Sequence, residues 1–142
     1  MPIADGIFAG IAAGIIMGLV SEIGYRLGLF TSSLIMIDGS FAGNRLRKPV
    51  TPATMYAFGA IIHLLTSALF GSGYVVATWV LNVPAQKGLT VTVYVLLLWI
   101  AMLFVALPIA GQGILGKKLG QYTWMEQLVL HIVFGIVLWL TV

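Results

Sequence analysis

Apolar residues run along this chain in four long blocks, separated by stretches where polar residues, proline and glycine collect. The blocks cover residues 6–29, 55–80, 90–110 and 124–141. Each approaches or exceeds the roughly 20 residues that a helix needs to cross a hydrocarbon layer. Helix is the state to expect, because lipid satisfies no backbone group and four strands cannot close a barrel. The pattern predicts an all-α protein: a four-helix up-down transmembrane bundle forming a single domain over residues 1–142. The first connection, 30–54, is long and holds Asn44, Pro49 and Pro52. Its part around 34–41 is apolar enough to lie along the membrane interface. The second connection, 81–89, is short and contains Pro84 and Gly88, and the third, 111–123, is rich in glycine.

Composition strengthens this reading. Only 8% of the residues are charged and 61% are hydrophobic, whereas a soluble domain carries about 25% charged residues. The net charge of +3 is small and scattered, which argues against nucleic acid as a partner. Cysteine is absent, so disulfides, thiolate-held iron–sulfur clusters and covalent c-type haem are excluded. No Lys or Arg precedes the first apolar block. It therefore lacks the basic lead of a signal peptide and reads as a retained helix. Arg26, Arg45, Arg47 and Lys48 flank or occupy the first connection, and Lys117 and Lys118 the third; Lys87 alone occupies the second. By the positive-inside rule the first and third connections are cytoplasmic, and both termini lie on the outer, periplasmic side of a bacterial inner membrane. Trp79 and Trp139 fall near the outer surface and Trp124 near the inner one, while Trp99 is mid-helix and reads as packing.

Small residues mark the packing faces. Gly6, Gly10, Gly14 and Gly18 recur every four positions on the first helix, a pattern that lets another backbone approach closely. A four-residue step drifts by about 40° around a helix, so the stripe winds on to Glu22 and Arg26. Its partner could be the second helix, the fourth, or another subunit. Gly59, His63, Ser67 and Gly71 share this spacing on the second helix, as do Gln127, His131, Gly135 and Trp139 on the fourth.

Three ionisable residues, Glu22, His63 and His131, then fall in one layer. His63 follows the start of its block by eight positions and His131 by seven, and Glu22 precedes the end of its block by seven. That is roughly 10–12 Å inside the cytoplasmic boundary. The corresponding level of the third helix holds Met102 and Leu103. A charge at the centre of a spanning helix costs roughly 2.5–3.5 kcal/mol on insertion scales, so each group needs a partner. Glu22 and Arg26 form an i,i+4 pair in the favourable order. The histidines could be structural, hydrogen-bonded to Ser67, Thr66 or Gln127. They could be the axial ligands of a haem b, since two imidazoles at one depth on parallel helices suit bis-His ligation. They could hold a metal together with Glu22, or form part of a proton path.

Other features carry less. Gly111-Gln-Gly113-Ile-Leu-Gly116 spells a dinucleotide fingerprint. The true motif, however, follows a strand within a parallel sheet, and here the glycines are expected to shape a tight turn. Asp5 and Asp38 have no partners clustered near them in sequence, and there is no catalytic Ser/His/Asp arrangement. The stretches 57–74, 108–120 and 131–135 carry a family resemblance. Their features are the histidine of the second helix and its glycine face, the run Pro108-Ile-Ala-Gly-Gln-Gly-Ile-Leu-Gly116, and His131-Ile-Val-Phe134-Gly135. Met36-Ile-Asp38-Gly39 adds to them. In these the chain resembles an uncharacterised family of small bacterial four-helix integral membrane proteins. The resemblance implies that the two histidines and the glycine turn belong together, and it implies no activity. The expected function is a small integral subunit or accessory protein of a larger inner-membrane complex, of an electron-transport kind. The partners would then be the lipid bilayer and other membrane subunits, with no catalytic residue in the chain itself. The alternatives are a b-type cytochrome using His63 and His131 and, behind it, a proton or small-solute permease.

Overall fold

The computed structural model of the protein describes residues 2–46 and 51–142, apart from the side chains of 42–46. Arg47, Lys48 and Pro49 lie outside the described residues, as do the side chains of Asn44 and Arg45. The described chain is helical, without strands. Its helices are α1 (Ile3–Arg26), α2 (Leu34–Leu46), α3 (Pro52–Val80), α4 (Gly88–Ile109) and α5 (Thr123–Thr141). All except α2 are long and apolar enough to cross a membrane.

The helix ends follow from local chemistry. Thr51 caps α3, its hydroxyl oxygen accepting from the Thr54 N–H at 3.3 Å, and Pro52 fills the first helical position, where its missing N–H costs nothing. At the end of α1 the Leu29 N–H reaches the Gly24 carbonyl and the Gly28 N–H reaches that of Tyr25, with Gly28 at φ +72°. This is the paired bonding of a Schellman stop. Asn82 takes the same left-handed position after α3, and Gly111 after α4. Gly113 and Gly116 also have positive φ, so the glycine run does form the tight turn expected of it.

Within α4 the turn Met102–Ala106 widens to π geometry, and the Leu107 N–H bonds to the Met102 carbonyl. Pro108 supplies the reason. It has no N–H to give, and its ring presses on the carbonyl four residues back.

The glycine stripe of α1 packs against α3. A Cβ added at Gly10 would lie 2.2 Å from the Ser67 carbonyl oxygen, and one at Gly71 would lie 2.1 Å from that of Gly6. Gly6 meets the Gly71 region and Gly18 meets His63, so the two helices run antiparallel. Between the glycines, Ala9, Ala13 and Met17 are buried and share one core with Leu130, Phe134 and Leu138 of α5 and with Val91 and Val95 of α4. Gly135 lies directly under Val95.

The stretch around 34–41 is helical. It is the start of α2, packed on α3 and α1, with Leu34 and Ile37 buried. Gly59 sits against the Ile35 carbonyl and Gly39 against that of Met55, so α2 descends alongside the first turns of α3. At the far end, Trp139 donates to the Gln86 carbonyl (2.9 Å), tying α5 to the α3–α4 connection. Trp99 is half-buried against the core and donates to the Trp124 carbonyl (3.0 Å).

Adding a methyl group at the α1–α3 contact should therefore separate two backbones. Gly10→Ala and Gly71→Ala are each expected to destabilise by about 1–3 kcal/mol, as overpacking does, despite the better helix propensity of alanine. Gly88→Ala, where no neighbouring atom lies within 4 Å, should have little effect. Equilibrium unfolding in mixed micelles measures all three.

Candidate functional site

The site is built where α1, α2 and α3 meet. The glycines of α1 bring its backbone close enough for the Gly14 carbonyl to serve a side chain of α3. His63 Nε2 lies 2.9 Å from that oxygen, and its Nδ1 lies 3.0 Å from Asp38 Oδ2. A carbonyl can only accept, so Nε2 carries a hydrogen. One further proton then lies between Nδ1 and Asp38, as imidazolium with carboxylate or as imidazole with carboxylic acid. In either form the pair is neutral overall. Burial pushes the Asp38 carboxyl above the usual carboxylate range, against the lowering pull of its hydrogen bond to His63.

His131 faces the same interior space from α5. Its Nδ1 donates to the Gln127 carbonyl one turn earlier, at 2.7 Å, which fixes the tautomer and leaves Nε2 as a bare acceptor. Among the described residues Nε2 has no hydrogen-bond partner. A cavity of about 60 Å³ separates the two imidazoles, lined also by Asp38, Met17, Ser67 and Phe134. Met102, the residue at which the π turn of α4 begins, closes one side.

Of the partners the sequence offers, only Gln127 bonds an imidazole, and it does so through its backbone. Thr66 spends its hydroxyl on the carbonyls of Ile62 and His63 in its own helix. The buried Oε1 of Gln127 has no hydrogen-bond partner among the described residues. Asp38, which has no neighbour in sequence to neutralise it, is the principal partner of His63. The signal for it was present: an acid with four apolar residues before it in a stretch that otherwise reads as membrane-seeking.

Glu22 is not gathered with the two histidines. Its Oε1 accepts from Arg26 Nε (2.7 Å) and the Tyr56 hydroxyl (3.4 Å), and its Oε2 from the Ser33 hydroxyl (2.7 Å). Arg26 is largely exposed, so this ion pair contributes little; the Ser33 and Tyr56 bonds tie α1 to α2 and α3. Among the described residues no three His, Cys, Asp or Glu side chains converge in a metal-holding arrangement. A further acid, Glu126, escaped the sequence reading. It is buried in the first turn of α5, and its two oxygens accept from the Thr31 N–H and hydroxyl, each at 3.0 Å. Its apolar neighbours on α5 gave the signal, but the partner lies 95 residues away. No protein-family model, curated protein or solved structure matches this chain.

Deleting both members of the buried pair should cost less than the sum of the two single deletions. Asp38→Ala leaves Nδ1 of His63 unpaired and should destabilise by about 1–3 kcal/mol. Asp38→Asn should cost less, since its amide can still donate to Nδ1. His63→Leu in the Asp38→Ala background should add less than it does alone. A double-mutant cycle read by unfolding in micelles gives this coupling, and strict additivity would show that the two groups do not interact.

Proposed function

We propose that the chain is a small accessory subunit of a larger bacterial inner-membrane assembly of an electron-transport kind. It would be an up-down bundle with both termini outside and no reaction centre of its own. The observation that carries this is how completely Glu22, Glu126 and His63 are spent on internal partners. His63 uses both nitrogens, and Glu22 and Glu126 use both oxygens, each within the chain. The space between the two imidazoles, about 60 Å³, admits only a few water molecules. The wider groove of about 300 Å³ that His63 shares with Gly14, Glu22 and Tyr56 meets ring nitrogens and carboxylate oxygens that already have partners. The apolar surface points the same way. In α4 only 17% of the most apolar window is buried, against 44% in α5, so α4 offers most of its surface to lipid or to a neighbouring subunit. The end that carries Arg26, Lys117 and Lys118 is the one where the α1–α2 and α4–α5 connections meet, Thr31 lying against Gly120. This grouping supports a cytoplasmic placement of that end.

A haem held between His63 and His131 fits this arrangement poorly. Iron needs a free nitrogen from each ring, and His63 has none to give without releasing Gly14 or Asp38. The cavity is also far smaller than a porphyrin.

One observation favours a second reading, a proton-exchange element: His131, whose Nε2 is left as an acceptor, lines one cavity with His63 and Asp38. The two readings separate experimentally. Chemical crosslinking in native membranes, followed by native electrophoresis, should place the chain in a complex several times its own mass. A strictly monomeric chain, together with proton flux in proteoliposomes that His131→Ala abolishes, would overturn the subunit reading in favour of proton exchange.

A further inference from the structure

We infer that the outer half of the gap between α3 and α4 is a binding site for one anionic phospholipid, its acyl chain lying between the helices and its headgroup at Lys87. Although α3 and α4 are consecutive, their outer halves splay around a groove of about 500 Å³. That size falls in the range of small-molecule sites, roughly 300–1,000 Å³.

The walls are suited to hydrocarbon. Ala77, Leu81, Val93 and Leu97 line the groove. Its base is the Tyr74–Tyr94 pair, with ring centroids 5.1 Å apart. Both tyrosine hydroxyls are committed to backbone carbonyls, Tyr74 to Ala85 and Tyr94 to Phe70 (2.6 Å). Tyr74 is fully buried and Tyr94 half-buried, so the groove meets ring surface of Tyr94 and no free phenol, which selects an alkyl chain over a polar solute.

The mouth selects charge. Lys87 lines the groove immediately before the first residue of α4, is exposed, and forms no ion pair among the described residues. A lysine at the end of a spanning helix lies at headgroup level. An unpaired ammonium beside an alkyl-lined slot complements one amphiphile with a negative head. A partner helix would have to bring an acid to that ammonium, whereas an anionic headgroup supplies the charge together with the alkyl chain.

The test uses the full chain in nanodiscs containing phosphatidylglycerol or phosphatidylcholine with a diazirine on the acyl chain. Adducts are mapped by peptide mass spectrometry after illumination. Phosphatidylglycerol adducts should concentrate on Ala77, Leu81, Val93 and Leu97, about fivefold over phosphatidylcholine, the ratio equivalent to about 1 kcal/mol for one basic residue near anionic lipid. Lys87→Gln should bring the two lipids to equal labelling. Val93→Trp, which fills the groove, should lower both there and leave labelling of the exposed Leu65 and Leu69 unchanged. The inference is overturned by equal labelling in the unaltered chain, or by a preference that survives Lys87→Gln. It is also overturned by a groove that stays unlabelled in native membranes because a second copy or another subunit covers it.

Discussion

The near-contact of two backbones, α1 on α3, is the constraint on which the rest of the structure depends. In a bilayer, lipid covers apolar side chains as well as a neighbouring helix does, so helices associate through close packing and polar contacts. Gly6, Gly10 and Gly71 remove the side chains that would hold the axes apart. Only at that separation can the Gly14 carbonyl, already part of its own helix, accept a second bond from His63. That bond sets the ring so that Nδ1 faces Asp38. The pair in turn holds α2 against both spans.

Three further contacts converge on the segment that joins α1 to α2. Ser21 accepts from the Leu34 N–H (2.8 Å), supplying from another helix the cap that α2 lacks at its own start. Glu22 holds Ser33, and Glu126 holds Thr31. These residues come from two spans, α1 and α5, so the connection is part of the bundle rather than a tether outside it. The opposite end is closed by the indole of Trp139 on the Gln86 carbonyl, the Gln86 amide on the Val142 carbonyl and the phenol of Tyr74 on Ala85.

The four long helices were legible from hydropathy, within about three residues at each end. The small-residue faces were also legible: Gly14 and Gly18 do lie beside His63, and Gly59, Gly71 and Gly135 each meet a neighbouring helix or its side chains. The hidden part was whatever depends on a chain reversal. Apolar counting sees 34–41 as membrane-seeking but cannot see that the turn after Arg26 carries Leu34 back to the level of Ser21. Once that reversal is missed, Asp38 looks solitary and Ser67 and Thr66 look like the natural partners of a histidine. Glu126 was obscured for the same reason, its partner being the Thr31 of that same turn. Both imidazoles do line a single cavity with Met102 at its edge, in keeping with their matched counts from the helix starts.

Helix α2 bears on how the protein is made. With 13 residues it is too short to cross a bilayer, and it carries an acid whose partner belongs to a helix synthesised later. While α3 is still in the ribosome, His63 is not there to meet Asp38, and α2 lacks the helix on which it packs most extensively. The contact that seats α2 can therefore be completed only after α3 has been made, because one proton is shared between positions 38 and 63.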